Sequence, residues 1–238
     1  MSKGSRRKIR LSEVIPSSIS TVDGSALGLG LDVATTEKET SNPSSLALAE
    51  RVGREFIIRF LARWKTADPE ITYQIVFAIL SRIAPRRARK LCIDATSERY
   101  FAVQLKRRLT SLVPVDLVVS SESIEYLAEK MTYKAYLGSL LVNTIDDGFL
   151  ALPNAEWVKN DFRLVKRDRG SFVADVDENG NHADSFDAVK LAIHAIAGPG
   201  GPATAAATSV GNFGAQPAQT RWKNPLSRMF NKGPSLNV

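Results

Sequence analysis

Residues Ala26–Thr36 read Ala-Leu-Gly-Leu-Gly-Leu-Asp-Val-Ala-Thr-Thr. Small and apolar residues alternate up to Asp32 and the chain then turns polar, which predicts a buried β-strand ending near Ala34. A carboxylate at the end of such a strand must be paired, metal-bound or solvated, because an isolated buried charge is costly. Asp32 is therefore the first candidate for a functional side chain.

Two later stretches repeat this arrangement. Leu91–Thr96 is a short apolar strand that ends on Asp94, and His182–Ala188 opens a helix at Asp184. Strand ends and a helix start can bring acids from separate elements to one point, and carboxylate oxygens are the ligands that Mg²⁺ and Mn²⁺ prefer. The sequence therefore predicts that these two acids converge with Asp32 on divalent metal.

Composition limits the class of protein. The chain has 238 residues and 44% hydrophobic content, enough for one sizeable core, and no apolar run approaches the roughly 20 residues that span a bilayer. The basic N-terminus is not followed by an apolar segment, so we expect no secretory signal. Cys92 has no disulfide partner in the chain, and two histidines with one cysteine cannot make a zinc site without several carboxylates. We expect a soluble, intracellular protein.

The net charge of +7 comes from the two ends of the chain. Residues 1–24 carry five Lys/Arg and two acids, residues 198–238 carry four Lys/Arg and no acid, and residues 25–197 carry 23 of each. We predict a basic arm over 1–24, a folded domain over 25–197, and a Gly/Pro/Ala-rich tail with a basic aromatic end over 198–238. Such ends suit a polyanion or an acidic protein surface, although solvated tails without a partner explain the charge equally well.

The periodicity of the folded part predicts a mixed sheet with helices. Three extended runs in an antiparallel meander come first, and helices then alternate with strands, which indicates a parallel portion of the sheet. The predicted strands are 26–34, 45–52, 54–64, 91–94, 113–119, 148–152, 162–166 and 171–175. The predicted helices are 69–83 with Asp68 as its N-cap, a helix with Ser97 as its N-cap, a long helix from Ser121 or Ser123 to Ile145, a turn or helix within 153–160, and 185–197.

The stretch from His182 to Ala192, HADSFDAVKLA, resembles the last nuclease motif of the large-terminase family, the motor subunits that package viral DNA in tailed phages and herpesviruses. Gly28–Asp32 resembles the first-strand aspartate of that family, and Leu91–Thr96 resembles its second acidic motif. The resemblance covers about 25 to 197 and implies an α/β fold of the ribonuclease H-like class, with three antiparallel and further parallel strands flanked by helices.

The resemblance also implies an activity. The chain would be a metal-dependent DNA endonuclease that hydrolyses phosphodiester bonds with two Mg²⁺ or Mn²⁺ ions, and its catalytic metal ligands would be Asp32, Asp94 and Asp184. Asp187 would support the second ion, although an outward first-turn acid favoured by the helix dipole is an equal reading. His182 would contact substrate phosphate or be a turn histidine without a role.

Cations beside the acidic stretches are candidates for DNA contacts. Lys166, Arg167 and Arg169 form a basic hairpin tip that leads into the Asp184 stretch, and Arg86 and Arg87 precede the Asp94 strand. Phosphate contacts from such residues would be independent of sequence and sensitive to salt. The alternative is ordinary solvated charge.

The sequence departs from the family in one important way. No Gly-x-x-x-x-Gly-Lys-Ser/Thr phosphate loop is present, so we expect an isolated nuclease domain or split subunit that cleaves without ATP. The resemblance implies double-stranded DNA, a portal protein, a small terminase subunit and an ATPase domain absent from this chain as partners, in the host cytoplasm and without a membrane. Two rival functions remain open: a Holliday-junction resolvase or transposase-like nuclease of the same fold, and a non-catalytic binding module.

Overall fold

The structure is a computed structural model that describes residues 11–35, 42–126, 129–168, 171–176 and 182–197. Its helices are α1 Leu11–Val14, α2 Pro69–Ile83, α3 Arg99–Leu109, α4 Tyr133–Asp146, α5 Glu156–Arg163 and α6 Asp184–Ala197. Its strands are β1 Ala26–Asp32, β2 Ser44–Val52, β3 Glu55–Trp64, β4 Lys90–Asp94, β5 Val115–Val118, β6 Ser123–Tyr126, β7 Glu129–Thr132, β8 Leu150–Ala151, β9 Val165–Asp168 and β10 Ser171–Ala174. No helix in these ranges has the length and apolar character needed to cross a membrane.

Six strands form the central sheet in the order β5-β4-β1-β2-β3-β8. Strands β1, β2 and β3 are antiparallel neighbours, whereas β4 and β5 continue the sheet in parallel beyond β1 and β8 runs parallel to β3. The register pairs Leu31 with Ile93, so the carboxyl ends of β1 and β4 lie side by side. The predicted mixed sheet, with its antiparallel meander and parallel extension, is confirmed.

Helices cover both faces of this sheet because β1 alternates two kinds of residue. Leu29 and Leu31 are fully buried on the face that packs against Ile79 of α2 and Leu105 of α3. The opposite face carries α4, α5 and α6, and Ala47 of β2 lies in that second core. Branched apolar residues on one face and small residues on the other therefore let a helix approach the sheet closely.

That approach is closest at Gly30. A Cβ built on Gly30 would lie 2.2 Å from the Ala188 carbonyl oxygen and 2.3 Å from the Ala192 backbone nitrogen, both in α6. At Gly28 it would lie 2.7 Å from Cγ2 of Ile196. The glycines of β1 therefore seat α6 directly on the strand, and this contact fixes where the first turn of α6 lies relative to the end of β1.

One predicted helix is wrong in its first third. Strands β6 (Ser123–Tyr126) and β7 (Glu129–Thr132) pair antiparallel there, and the helix begins only at Tyr133, where the Thr132 hydroxyl accepts a hydrogen bond from the Ala135 backbone nitrogen at 3.2 Å. The apolar spacing fitted a helix, but Tyr126 packs its ring on Tyr136 at 4.8 Å, a contact that the hairpin makes possible. The cap predicted at Ser97 is also wrong, since α3 has Glu98 at its N-cap with no side-chain hydrogen bond.

The ends of the chain are only partly described. Residues 1–10 and 198–238, which include all five Lys/Arg of the predicted basic arm and the whole predicted tail, lie outside the described residues. Within the described part of the arm, Leu11, Val14 and Ile15 pack against the first core. The division of the chain at residues 24 and 197 stays a prediction.

Candidate metal centre

The carboxylates predicted as metal ligands line one cleft of about 690 Å³. Asp32 ends β1 and Asp94 ends the neighbouring strand β4, while Asp184 and Asp187 occupy the first turn of α6, which packs on β1. The parallel pairing of β1 with β4 brings two of the acids together, and the glycine contact with α6 brings the other two. The structure thus places the three acids predicted to converge, and Asp187 with them, along one cleft, and their role as metal ligands stays a prediction.

Asp32 lies at the centre of this group. Burial raises the pKa of Asp32 well above its usual range, and the charges of Asp187, Asp94 and Asp184 raise it further, while the Lys190 ammonium opposes them. A carboxylate close to three other acids lies in a strongly negative potential, which attracts a cation.

Asp184 is the most deeply buried of the four acids at 3% exposure. Burial raises its pKa to about 7, with further contributions from Asp161 and Asp187 and an opposing one from Arg63. Its Oδ2 atom is buried without a hydrogen-bond partner among the described residues. Buried polar atoms are nearly always satisfied in proteins, so this oxygen lacks the partner that a ligand would provide.

The other two acids have partners in the protein. Asp94 accepts a hydrogen bond at Oδ1 from the Thr96 backbone nitrogen at 2.7 Å, which orients its carboxylate at the end of the strand. Asp187 forms an ion pair with Lys190 one turn further along α6. Asp187 lines the cleft with a side chain that is 39% exposed, and its role as a metal ligand stays a prediction.

The donor set fits a hard divalent cation. Four carboxylates line the cleft, the charges of three of them raise the pKa of Asp32, and one oxygen of Asp184 has no partner among the described residues, which matches the preference of Mg²⁺ and Mn²⁺ for oxygen ligands. Across the described ranges, no three His, Cys, Asp or Glu side chains lie close enough together to hold a metal ion as they stand.

The predicted DNA-contact residues fall into two groups. His182 lines the cleft, and the predicted basic hairpin is present as β9–β10, with Ser171 and Ala174 of β10 also in the cleft wall. Lys166 on this hairpin forms an ion pair with Asp175, and Arg167 is exposed. Arg169 lies outside the described residues.

Arg86 and Arg87 lie elsewhere. Arg86 donates from Nη1 to Oε1 of Glu50 at 3.0 Å and from Nη2 to Oγ of Ser25 at 2.7 Å, and Ser25 stands before the start of β1. Asp32 ends that strand, so the Arg86 cluster and the cleft are at opposite ends of β1. Arg87 is exposed just before β4 begins, whereas Asp94 ends β4. The structure does not bring either arginine to the acids.

Sequence reasoning missed three charged residues in or beside the cleft. Lys190 and Lys134 line it, and Asp161 of α5 accepts at Oδ2 a hydrogen bond from the Ser185 backbone nitrogen at 3.3 Å, at the start of α6. The spacing of Asp187 and Lys190 on one helix face was the only sequence signal for the lysine. No signal pointed to Asp161, which depends on how α5 packs.

The six-stranded mixed sheet with its flanking helices has the ribonuclease H-like architecture of terminase nucleases, which confirms the predicted fold class. The large terminase nuclease from thermophilic phage G20c aligns with a TM-score of 0.53 at 16% identity, covering 77% of this chain and 95% of that chain. The same nuclease with bound magnesium aligns with a TM-score of 0.54 at 15% identity, covering 77% and 94% of the two chains.

The large terminase from a second thermophilic bacteriophage, in complex with ATP-gamma-S, aligns with a TM-score of 0.50 at 12% identity, covering 77% of this chain but 42% of that chain. No protein-family model matches the sequence, and a search of curated proteins finds no match. The resemblance to large-terminase nuclease domains is thus confirmed at the level of the fold. The roles of the site residues stay predictions.

Proposed function

We propose that this chain is a divalent-metal-dependent DNA endonuclease that cuts concatemeric genome DNA during viral DNA packaging. The observation that carries the proposal is the convergence of Asp32, Asp94, Asp184 and Asp187 on one cleft, with a buried Asp184 oxygen lacking a hydrogen-bond partner among the described residues. The similarly folded G20c terminase nuclease has been solved with bound magnesium, which supports the proposal that the activity depends on a divalent metal.

We assign two Mg²⁺ or Mn²⁺ ions to this site, and Asp32, Asp94, Asp184 and Asp187 would hold them, with Asp32 best placed to serve both because its carboxyl is affected by the charges of the other three acids. When bound, such ions activate the attacking water and stabilise the charge on the leaving oxygen. The four carboxylates hold the charge that the ions require, and α6 with the ends of β1 and β4 fixes their positions.

The rest of the cleft suits an anionic substrate. Lys134 and His182 line it beside the acids, and the exposed Arg167 extends the positive surface along the β9–β10 hairpin. These side chains would hold the phosphodiester so that water attacks phosphorus in line and the bond to the 3′ oxygen breaks. The products are a 3′-hydroxyl and a 5′-phosphate, and contacts of this kind read the backbone rather than the bases.

We further propose that packaging requires components beyond this nuclease. The terminase solved with ATP-gamma-S is more than twice as long as the part of it that aligns with this chain, and no phosphate-loop motif occurs in the present sequence. An ATPase domain, a portal protein and a small terminase subunit are the partners that a packaging nuclease would need. The predicted basic aromatic tail is the segment we assign to such a contact.

Plasmid cleavage tests the proposal. The purified chain is incubated with supercoiled plasmid and Mn²⁺, Mg²⁺ or EDTA, beside Asp32→Asn, Asp184→Asn and the matched control Asp146→Asn, whose acid is exposed at the end of α4. We expect nicking and linearisation with metal, none with EDTA, at least a roughly hundredfold loss in the two cleft variants, and an unchanged rate in the control.

Three results would count against this function. Equal cleavage by all variants, or cleavage in EDTA, would indicate a contaminant or a different site. Clear preference for a four-way junction over linear duplex would favour a resolvase of the same fold. If neither cleavage nor Mn²⁺ binding is found, a non-catalytic binding module is the better account.

A further inference from the structure

A buried lysine faces the acids of the cleft. Lys190 is 4% exposed, lines the cleft, and forms an ion pair with Asp187 three residues earlier on α6. Its ammonium also lies 5.9 Å from the centre of the Phe186 ring. Burying an ammonium is costly unless an opposite charge compensates it, so the pair is built into the site and is not an incidental surface contact.

The charge of Lys190 reaches beyond its partner. It acts on Asp32 in the opposite sense to Asp94, Asp184 and Asp187, which means that the ammonium partly offsets the repulsion that these acids exert on Asp32. The neighbouring Oδ2 of Asp184, by contrast, has no hydrogen-bond partner within the described residues. The two acids of α6 therefore differ, because a cation of the protein already occupies Asp187 and does not occupy this oxygen of Asp184.

We propose that Lys190 is a resident cation that competes with divalent metal for Asp187, so that it holds the acidic cluster together in the metal-free protein and weakens metal binding at that acid. This inference rests on the proposed function, since it concerns the same cleft. A carboxylate oxygen engaged by an ammonium has to be released before it can serve as a metal ligand, and a nearby positive charge repels an incoming divalent ion. The long, flexible lysine side chain is suited to such a release.

Mn²⁺ binding to the full chain, measured by isothermal titration calorimetry and by electron paramagnetic resonance of free Mn²⁺, tests this competition. Lys190→Met keeps the length and apolar stem of the side chain and removes the charge, whereas Lys190→Arg keeps the charge. We expect Lys190→Met to bind Mn²⁺ at least about tenfold more tightly than the unaltered chain, or to bind an additional ion, and Lys190→Arg to resemble the unaltered chain.

A double variant isolates the contact. If the tighter Mn²⁺ binding of Lys190→Met arises at Asp187, it disappears in the double variant Lys190→Met/Asp187→Asn. The difference between the binding free energy of the double variant and the sum of the two single effects measures the competition. Thermal unfolding confirms that each variant is folded, and Lys190→Gln replaces Lys190→Met if the latter does not fold. A gain that survives in the double variant would overturn the assignment to Asp187.

The outcomes separate this inference from the proposed function. If the unaltered chain binds Mn²⁺ and cleaves plasmid but the folded, charge-removed variant binds with equal or lower affinity, Lys190 does not compete and only this inference falls. If neither the unaltered chain nor the variant binds Mn²⁺, and plasmid stays intact, both fall. Tighter binding in the variant establishes the competition even where the unaltered chain binds weakly.

Discussion

At the scale of single residues, the acids of the cleft are held at a cost to the folded state. Asp184 is buried with an oxygen that has no partner among the described residues, and its neighbours Asp161 and Asp187 add like charge around it. Sites that need such repulsion for function commonly reduce stability, because selection retains the charge and compensates for it elsewhere. The stability of variants therefore reports on the site independently of catalysis.

The Asp184→Asn variant should be more stable than the unaltered chain. The pKa of Asp184 is raised to about 7 from an ordinary value of 3.8, so ionisation disfavours the folded state increasingly from pH 4 to pH 7, and the full cost applies at pH 8. Asparagine does not ionise, so we expect the free energy of unfolding at pH 8 without metal to rise by about 1 to 3 kcal/mol. Urea denaturation measures it, with Asp146→Asn as the control that stays within about 0.5 kcal/mol. A loss of stability in Asp184→Asn would contradict the repulsion.

His194 gives a second prediction, far from the acids. Its Nε2 lies 3.1 Å from the Tyr133 hydroxyl, and burial, with a smaller contribution from Lys90, lowers the pKa of His194 to about 4. Asp116 opposes that shift.

A lowered histidine pKa means that the unfolded chain binds more protons between pH 4 and 6.5, so stability from this group is complete above pH 6.5 and falls toward pH 4. We expect the free energy of unfolding to fall by at most about 3 kcal/mol through this group, and the fall to be smaller in His194→Gln, which keeps a partner for Tyr133. Urea denaturation at about pH 4.5, 5.5 and 7 compares the two proteins across this window. If the free energy of unfolding changed with pH in the same way in both proteins, His194 would not be buried in its neutral form.

At the scale of elements, the contact between β1 and α6 positions the site. Gly30 leaves no room for a side chain beneath the α6 backbone, whereas a Cβ at Gly28 would overlap less, at 2.7 Å from Cγ2 of Ile196 and 2.9 Å from the Ala192 carbonyl oxygen. Overpacking costs more where the overlap is deeper and the contacted atoms belong to the backbone. Substitutions at the two glycines should therefore disturb the packing of α6 on β1 to different extents.

Gly30→Ala should destabilise the protein by about 3 kcal/mol, and Gly28→Ala by about 1 kcal/mol. Because α6 carries Asp184 and Asp187, the larger displacement should also reduce metal-dependent cleavage in Gly30→Ala that remains folded. Urea denaturation and the plasmid assay measure both effects. Equal stability of the two variants would mean that α6 is not packed on β1 as described.

At the scale of the whole molecule, two exposed arginines differ in their position relative to the cleft. Arg167 is exposed on the hairpin beside the cleft, while Arg87 is exposed before β4. The structure therefore separates two arginines that the sequence analysis named together as candidates for DNA contacts. Their effects on DNA binding should differ.

Arg167→Ala should lower the slope of log binding constant against log salt concentration by about 1, as expected for the loss of one phosphate contact. Arg87→Ala should leave that slope unchanged. Fluorescence anisotropy with a linear duplex, in Ca²⁺ to suppress cleavage, measures both variants from low to moderate salt. The reverse pattern would place the DNA at the Arg86–Arg87 end of the sheet.

The sequence predicted those parts of the site that depend on local signals. Asp32 and Asp94 end apolar strands and Asp184 opens a helix, so their positions follow from element boundaries, and Asp68 caps α2 as its spacing predicted. Residues 123–132 were misread because apolar spacing in a short segment fits a helix until strand pairing decides.

Long-range packing decided what the sequence could not show. Asp161 reaches the start of α6 only because α5 folds back against it, and Lys190 enters the cleft because α6 lies on the glycines of β1. Arg86 looked similar to the hairpin cations because a cluster of charge does not reveal at which end of a strand it lies. Charge patterning predicts the composition of a surface but not its place in the fold.

The most direct test of the central claim is a crystal of the chain soaked in Mn²⁺, examined by anomalous scattering at the manganese edge. We predict a peak in the cleft that contacts carboxylate oxygens of both Asp32 and Asp184, and loss of that peak in Asp184→Asn. A cleft without a peak at saturating Mn²⁺, or a peak that does not touch these two acids, would contradict the claim that they form one metal centre.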